Sequence, residues 1–311
     1  MTGSASTLPS RVALIGYGEV GRILAEDLCR QGVVVSACDI KLAADGVDAM
    51  AMREHAAANG VSLHAAHAAA VAKADLVICA VTASQTVAAA QACCGGFAPD
   101  AFFLDMNSAS PGAKGEAARR VEATGARYVE GAVMTSVPPY RSKVPLILGG
   151  PHGVALAPAL EALGFAPKVG PDKLGVASAT KMCRSVMIKG FEAMVIESFT
   201  AARAYGVEDA VLASLKETFP GIDWERQGSY FFQRVIEHGR RRGEEMREVA
   251  QTLREVGLDP WLATASAERD EWMANLADAG VFGGRGTPGF ARSADWRTEA
   301  DRILAANEDR E

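Results

Sequence analysis

Three glycines near the start of the chain have the spacing of a phosphate-binding turn. Gly16, Gly18 and Gly21 form a G-x-G-x-x-G pattern directly after the apolar run Val12–Ile15 and directly before helix-forming residues. The first glycine of such a turn permits a tight bend, the second lets a pyrophosphate approach the backbone, and the third lets the helix pack against the strand. The helix N-terminus then offers N–H donors to the anion. We therefore predict a dinucleotide site made by Gly16, Tyr17, Gly18, Glu19, Val20 and Gly21.

An acidic residue ends the next β-branched run. Asp39 follows Val33–Cys38 and lies 18 residues beyond Gly21. A carboxylate at the end of the second strand can accept both ribose hydroxyls of an adenosine, and it would repel a 2′-phosphate. Lys41 is a cation two residues further on that could accommodate such a phosphate. The pattern predicts NAD as the cofactor, with NADP possible.

A sheet must hold these residues, and short β-branched runs alternate with Ala-rich stretches from residue 11 to about residue 170. This alternation is typical of a parallel sheet that is covered by helices on both faces. The predicted strands are Val12–Ile15, Val33–Cys38, Leu76–Val81, Phe102–Asp105, Tyr128–Val129 extending toward Val133, and Leu146–Leu148, with weaker candidates at Val61–Leu63 and Lys168–Val169.

Helix-forming stretches lie between the strands and dominate the second half of the chain. From about Leu174 the β-branched runs stop, and apolar residues recur mostly every three or four positions. The predicted helices are Glu19–Arg30, Met50–Ala58, Ser84–Ala92, Gly115–Ala123, Gly175–Tyr205, Val207–Thr218, Tyr230–Val256 and Leu262–Leu276.

These elements predict an α/β fold in which an N-terminal Rossmann-type, doubly wound parallel sheet precedes an all-α C-terminal domain. The predicted organisation is a flexible N-terminus at residues 1–10, a dinucleotide-binding domain at 11–172 and a helical domain at 173–311. The helical domain begins with a long helix of the kind that joins domains.

Composition excludes several classes of function. The 311 residues are 49% hydrophobic and 23% charged, which is typical of folded globular proteins. The net charge of −6 gives no basic field that would attract nucleic acid. The apolar stretches are too short to cross a bilayer, and the first ten residues lack the pattern of a secretory signal. We expect a soluble cytoplasmic protein with no nucleic-acid or membrane partner.

Cysteine and histidine give little sign of a metal site. The six cysteines are scattered and form no CxxC pair, which favours reduced, partly buried thiols. His64 and His67 form a His-x-x-His pair without a carboxylate or thiol at ligand spacing beside it. We predict no metal.

The chain resembles the β-hydroxyacid dehydrogenases, which include 3-hydroxyisobutyrate dehydrogenase and the cofactor domain of 6-phosphogluconate dehydrogenase. The resemblance extends over nearly the whole chain and starts with Leu14–Gly21, which matches the N-terminal motif of the family. A later family motif, Asp-x-Ser/Asn-x-x-x-Pro, is matched by Asp105–Pro111. The resemblance implies that Asn107 meets the nicotinamide ribose and that Val81 and Thr82 pass beside the cofactor.

The substrate motif of the family is only partly present. Asp-Ala-Pro-Val-Ser-Gly-Gly aligns with Glu130–Ser136, which keeps the acidic start and the valine but loses Ser-Gly-Gly. By this resemblance Met134, Thr135 and Ser136 are substrate-binding candidates. Their bulk differs from that of the family, so the motif leaves the identity of the substrate open.

The family's catalytic lysine follows a glycine by six residues at the start of the long helix, and Gly175–Lys181 reproduces that spacing. Lys181 is therefore implied as the catalytic residue. The chemistry requires such a group, because oxidising a carbinol carbon releases the hydroxyl proton, and a lysine partly removed from water can have its pKa lowered toward neutrality.

Two further substrate-binding candidates follow in the helical half. Ser185 lies four residues after Lys181, where the family usually has Asn, and positions i and i+4 share a helix face. Arg241 is the closest match to a family lysine that reaches the active site, and its guanidinium could clamp a carboxylate or phosphate. Pairing of Arg241 with Glu244 and Glu245 on a solvated helix face is an equal alternative. Lys189 and Glu192 are predicted to be structural.

The resulting hypothesis is an NAD(P)-dependent oxidoreductase that acts on a β-hydroxyacid or a related small hydroxy compound, its small-molecule partner. The resemblance also implies a homodimer, since the helical domain of the family usually completes the active site across a dimer. Two alternatives stay open. One is an imine-reducing relative, which Lys181 disfavours, and the other is a sensor or subunit that binds NAD without turnover.

Overall fold

The computed structural model describes residues 9–44, 46–287, 289–290, 293 and 295–308. The chain divides into two compact units, and the division falls between Met182 and Cys183. The boundary expected from the sequence lies at 172/173. Residues 1–8 of the expected flexible N-terminus lie outside the described residues.

A mostly parallel sheet forms the N-terminal unit. Its strands within the described residues are β1 (Arg11–Ile15), β2 (Val34–Cys38), β3 (Ser62–Leu63), β4 (Leu76–Cys79), β5 (Phe102–Asp105), β6 (Arg127–Val133), β7 (Leu146–Gly149) and β8 (Pro167–Val169). They are ordered β3-β2-β1-β4-β5-β6-β7-β8. Strands β1 to β6 pair in parallel, β7 is antiparallel to β6, and β8 is parallel to β7. The predicted doubly wound sheet is confirmed, with an antiparallel addition at one edge.

The central strands are buried on both faces, which explains their continuous apolar runs. Alternate residues of β1 enter different cores. Val12 and Leu14 belong to one cluster and Ala13 and Ile15 to the other. This alternation shows that helices cover both sides of the sheet.

Six α-helices of the N-terminal unit lie between the strands in the described residues. They are α1 (Glu19–Arg30), α2 (Val47–Asn59), α3 (His67–Val71), α4 (Thr86–Cys93), α5 (Pro111–Glu122) and α6 (Gly153–Ala162). The predicted start of α5 at Gly115 was too late, because Ser110 Oγ accepts the N–H of Ala113 and Pro111 occupies the first helical position. Two helices have no counterpart among the predicted ones: α3, which is short, and α6, which has Pro158 in its interior.

Helices make up the second half of the chain, as predicted. They are α7 (Val176–Tyr205), α8 (Glu208–Thr218), α9 (Trp224–Glu255), α10 (Trp261–Asp278) and α11 (Trp296–Glu308). Phe199, Phe232 and Trp296 are among the largest side chains of the apolar core of the C-terminal unit. Helix α9 begins before the predicted Tyr230, because the Asp223 carboxylate caps it by accepting the N–H of Arg226 at 3.2 Å.

Within the described residues, no helix has both the length and the apolar character needed to cross a membrane.

Candidate functional site

The carboxyl ends of the parallel strands gather most of the predicted cofactor and substrate residues of the N-terminal unit. Strands β1, β2, β4, β5 and β6 are parallel, so the segments that follow them lie along one edge of the sheet. In open α/β sheets ligands bind at this edge. The predicted residues that follow these strands are Gly16 to Gly21, Asp39, Val81, Thr82, Asn107, Met134, Thr135 and Ser136.

The glycine turn between β1 and α1 is tightly packed at Gly16 and Gly21 and open at Gly18. Gly16 has a φ of +90°, and a Cβ added there would lie 2.3 Å from the Ala80 carbonyl oxygen. A Cβ on Gly21 would lie 2.2 Å from the Gly16 oxygen, so the fold itself requires both glycines. A Cβ on Gly18 would meet no protein atom within 4 Å. The space beside Gly18 is therefore open to a ligand.

Helix α1 starts at this open position. Gly18 is its N-cap residue and supplies no side-chain acceptor to the first turn. The N–H groups of a first helical turn have no acceptor within the helix and attract anions. The N–H donors of Glu19, Val20 and Gly21 and the space at Gly18 thus fit the pyrophosphate of a dinucleotide.

Tyr17 serves the turn through its backbone rather than through its ring. Its side chain is fully buried, and its hydroxyl lies 3.0 Å from His55 Nδ1. His55 Nε2 in turn lies 3.1 Å from a carboxylate oxygen of Glu26. Burial raises the pKa of the Tyr17 hydroxyl well above its ordinary value. The Tyr17 side chain is therefore a structural anchor beneath the turn.

Asp39 binds the glycine turn directly. Its carboxylate accepts the Tyr17 N–H at 2.8 Å and the Lys41 N–H at 2.9 Å, one with each oxygen. The Lys41 ammonium forms an ion pair with Asp48 at 2.6 Å, and both side chains are exposed. The cation that could receive a 2′-phosphate therefore has a carboxylate beside it already.

Asn107 ties the ends of two strands together. Its Oδ1 accepts the Val81 N–H at 2.7 Å, and its Nδ2 donates to Cys79 Sγ at 3.3 Å. Its own N–H donates to Asp105 Oδ1 at 2.9 Å. The side chain is buried, so its clearest role is to fix Val81 and the segment after β4. Thr82, the next residue, is exposed.

A buried polar cluster that was not predicted from the sequence lies under this segment. Lys114 Nζ forms an ion pair with Asp105 at 2.8 Å, and the Tyr128 hydroxyl donates to the same carboxylate at 2.7 Å. Burial and the neighbouring Asp105 raise the pKa of Tyr128. No local signal marks Lys114, because its partner lies on another element. The cluster holds the end of β5 in place.

Lys181 lies near the same edge. Its Nζ donates to Ser108 Oγ at 2.6 Å, and both residues are half-buried. Ser108 directly follows Asn107 and was not predicted as a site residue, although it lies within the Asp105–Pro111 motif. The arrangement places an amine and a hydroxyl side by side after the carboxyl end of β5.

The segment after β6 carries the substrate candidates of this unit. The Met134 N–H donates to the Pro145 carbonyl at 3.0 Å, which continues the pairing of β6 with β7. Met134 and Ser136 are half-buried, whereas Thr135 is exposed. Glu130, which starts the motif, is fully buried within β6.

The remaining candidates belong to the C-terminal unit. Ser185 is buried on α7. Arg241 on α9 is exposed and forms an ion pair at 2.8 Å with Glu245, which is buried and also pairs with Lys189. Lys189 and Glu192 are buried and pair with Glu245 and Arg242, in agreement with their predicted structural role.

A buried acid of the C-terminal unit was also not predicted from the sequence. Asp270 on α10 is fully buried, and neither of its carboxylate oxygens has a hydrogen-bond partner within the described residues. Burial raises its pKa to about 7, against the opposing effect of Arg242 and Lys189. This cluster of charges joins α7, α9 and α10.

Metal-ligating side chains do not assemble in the described part of the chain, where no group of three or more His, Cys, Asp or Glu could hold an ion. All six cysteines are free thiols.

Two family models match the chain. Residues 11–164 match the NAD binding domain of 6-phosphogluconate dehydrogenase, and residues 202–273 match a domain of unknown function, DUF1932. The first match contains the glycine turn, Asp39, Asn107 and Ser108. The family match therefore agrees with the geometry of a dinucleotide site.

Similar proteins extend the match over the chain. A conserved hypothetical protein from Sinorhizobium meliloti 1021 is 34% identical, with a TM-score of 0.72, 96% of this chain and 97% of that chain covered. A conserved protein of unknown function, whose structure is described as similar to 3-hydroxyacid dehydrogenases, is 29% identical with a TM-score of 0.65. The match covers 86% of this chain and 98% of that chain. The mitochondrial 3-hydroxyisobutyrate dehydrogenase of Drosophila melanogaster is 24% identical over 220 residues, 68% of this chain and 64% of that protein. This chain belongs to the family of NAD(P)-binding 3-hydroxyacid dehydrogenase-like proteins.

Proposed function

We propose that the protein is an NAD(P)-dependent oxidoreductase that acts on a β-hydroxyacid or a related small hydroxy compound, with Lys181 as its general acid and base. The observation that carries the proposal is the 2.6 Å hydrogen bond between Lys181 Nζ and Ser108 Oγ, beside the segments that follow β4 and β5. An amine held at that place is suited to exchange a proton with a substrate hydroxyl. The cofactor of the family exchanges hydride but no hydroxyl proton, so the reaction needs a separate group that takes the proton, and the Lys181 amine can serve as that group.

Oxidation of a hydroxyl-bearing carbon breaks one C–H and one O–H bond. Bound nicotinamide would take the hydrogen of the C–H bond with its electron pair. The neutral Lys181 amine would accept the hydroxyl proton as the carbonyl forms, and the reverse reaction would return that proton from the ammonium. Ser108 accepts a hydrogen bond from Lys181 Nζ, and this bond holds the ammonium form in position, since a hydrogen bond to a charged group contributes roughly 1.5–3 kcal/mol.

The choice between NAD and NADP is proposed to follow the charges at the end of β2. Asp39 would face the ribose hydroxyls with the lone pairs that Tyr17 and Lys41 leave unused. Asp48 adds a second negative charge and already engages the Lys41 ammonium. The two carboxylates of Asp39 and Asp48 would repel the 2′-phosphate of NADP, and the Lys41 ammonium is already paired with Asp48, so the site favours NAD.

Met134, Thr135, Ser136, Ser185 and Arg241 remain proposed substrate contacts. Thr135 and Ser136 offer hydroxyls where the family has two glycines, which gives the chain a different donor set for the substrate carboxylate. Arg241 would have to leave Glu245 to bind a carboxylate or phosphate. These differences support a substrate related to, but distinct from, 3-hydroxyisobutyrate.

The experiment combines cofactor binding with a substrate panel. NADH and NADPH are titrated into the protein, and a panel of 3-hydroxyacids, aldehydes and imines is then assayed by absorbance of the reduced nicotinamide. We expect tighter binding of NADH and turnover of a 3-hydroxyacid or its aldehyde. The Lys181→Met variant should bind NADH as the wild type does and lose turnover.

Other outcomes contradict the proposal in different ways. Turnover of imines alone would assign the chain to imine reduction. Binding of NADH without turnover of any compound, unchanged in Lys181→Met, would favour the sensor alternative, which the altered residues at Thr135 and Ser136 keep open.

A further inference from the structure

Glu130 has an unusual environment for a carboxylate in the middle of a strand. It lies in β6, is fully buried, and belongs to the N-terminal unit. Its Oε2 accepts the Gly175 N–H at 2.7 Å, and its Oε1 accepts the Ser178 N–H at 2.5 Å. Both donors belong to the start of α7, where N–H groups have no acceptor within the helix. A residue 45 positions earlier in the chain thus caps the helix that carries Lys181.

The fold makes room for this cap. A Cβ on Gly149 of the neighbouring β7 would lie 2.8 Å from Glu130 Oε2 and 3.1 Å from the Ala177 Cβ of α7, so a larger residue would crowd both the carboxylate and the first turn of the helix. The Ser178 hydroxyl donates to the Gly175 carbonyl at 3.1 Å and closes the turn. The cap is therefore built jointly by β6, β7 and the first turn of α7.

The charge of the cap bears on Lys181, which lies three residues after Ser178. The N-terminus of a helix carries a partial positive charge that disfavours a nearby cation. A carboxylate on that N-terminus offsets the effect and stabilises the lysine ammonium. Two other buried charges of the N-terminal unit, Asp105 and Lys114, form an ion pair with each other.

We propose that Glu130 is a positioning residue that caps α7 from strand β6, fixing where Lys181 is held at the sheet edge and stabilising its ammonium form. The proposal rests on the proposed function only for the catalytic role of Lys181. The cap itself is a property of the described contacts.

The test measures the titration of Lys181 without a substrate. The full-length protein is labelled with trinitrobenzenesulfonate over a range of pH, and labelling of the Lys181 peptide is followed by mass spectrometry, with exposed Lys168 as the internal reference. In Glu130→Gln we expect the labelling midpoint of Lys181 to fall by about half a pH unit or more, because the negative charge that caps the N-terminus of α7 is lost. The Lys168 midpoint should not move.

Two further variants separate capping from general damage. Gly149→Ala keeps the charge but crowds the carboxylate against the Ala177 side of α7 and weakens the cap, so it should lower the Lys181 midpoint in the same direction. Glu161→Gln removes an exposed carboxylate from α6 and should leave the midpoint at the wild-type value. NADH binding reports that each variant is folded, and Gly149→Ala decides the question if Glu130→Gln does not fold.

A Lys181 midpoint that is the same in wild type, Glu130→Gln and Gly149→Ala would overturn the proposal. The outcome is independent of the proposed function, because labelling requires no turnover. If Lys181 has no catalytic role, the Lys181→Met variant would keep full activity. The midpoint shift of Lys181 in Glu130→Gln would still be observed.

Discussion

The hydrogen bond between Lys181 and Ser108 positions the amine that the proposed chemistry requires. The amine donates to a hydroxyl that is anchored after the carboxyl end of β5, next to the buried side chain of Asn107. A lysine has four rotatable bonds, and the hydrogen bond selects one position for its amine. Proton transfer requires the donor and acceptor within hydrogen-bond reach, so this restriction should raise the rate.

Ser108→Ala removes the acceptor without changing charge. We expect the kcat of the identified substrate to fall by about 10-fold, which corresponds to the loss of one hydrogen bond to a charged group. The affinity for NADH should stay within about 2-fold of the wild type, because the serine lies beside the amine rather than in the glycine turn. Stopped-flow measurement of NADH formation checks this, and an unchanged kcat would remove Ser108 from the site.

Asp270 is a second residue whose effect can be measured, here on stability. It lies in a buried cluster with two cations, Lys189 and Arg242, and two further carboxylates, Glu192 and Glu245. The cluster is neutral when Asp270 is protonated and negative when it is ionised, counting those five groups alone. Burial is the largest cause of the rise of the Asp270 pKa to about 7, and the two cations oppose it.

The free energy of unfolding should therefore fall as pH rises. Asp270 has an ordinary pKa of 3.8 when exposed and about 7 in the fold, so its contribution is complete below about pH 4 and is lost by about pH 7. Asp270→Asn cannot ionise. We expect it to be more stable than wild type at pH 8, on the order of a few kcal/mol, and the difference to disappear near pH 4. Urea unfolding at the two pH values measures this, and parallel pH profiles would contradict it.

At the scale of elements, two glycines of the turn between β1 and α1 have different roles: Gly21 is required by the fold, and Gly18 leaves space for the ligand. A Cβ on Gly21 would lie 2.2 Å from a backbone oxygen, whereas a Cβ on Gly18 would meet no protein atom within 4 Å. Gly18→Ala should leave the Tm nearly unchanged and weaken NADH binding by about 10-fold or more, because the methyl group occupies the place of the pyrophosphate. Gly21→Ala should lower the Tm. Equal effects of the two variants on both quantities would contradict this division.

Local signals account for the elements that sequence reasoning predicts well. Helix α1 begins and ends where predicted, because the glycine turn precedes it and Gly32 follows it. Strand β4 ends at Cys79 rather than Val81, since the N–H of Val81 turns to the side chain of Asn107 instead of a neighbouring strand. The early start of α9 depends on the cap by Asp223, which is itself a local signal in the sequence.

Partners distant in sequence account for what could not be predicted. Lys114, Glu130 and Asp270 are buried charges whose surroundings come from other elements of their own unit. Hydropathy and spacing treat each of them as an ordinary surface residue. Only the folded arrangement shows that one anchors β5, one caps α7 and one lies within a cluster of buried charges.

At the scale of the whole molecule, the exposed apolar residues of the C-terminal unit support the proposed homodimer. Met187 and Met194 of α7 are 71% and 53% exposed, and Trp261 and Leu262 of α10 are 80% and 50% exposed. A Cβ on Gly190 would lie 3.5 Å from Leu262, so the two groups are neighbours. Apolar surface of this kind is commonly covered by a partner.

Light scattering after size exclusion tests the oligomeric state. We expect the wild type to have the mass of a dimer and Trp261→Glu to have the mass of a monomer with an unchanged Tm. Val154→Glu, which changes an exposed residue of α6 in the N-terminal unit, is the matched control and should remain dimeric. A monomeric wild type would contradict the homodimer.

The central claim, that the Lys181 amine moves the substrate proton, is tested most directly by chemical rescue. Lys181→Ala should bind NADH normally and lose about 10²- to 10⁴-fold in kcat on the substrate identified by the panel. Added methylamine should restore part of that rate in proportion to its free-base concentration. Turnover by Lys181→Ala at the wild-type rate, or a lost rate that no amine restores while NADH and substrate still bind, would contradict the account.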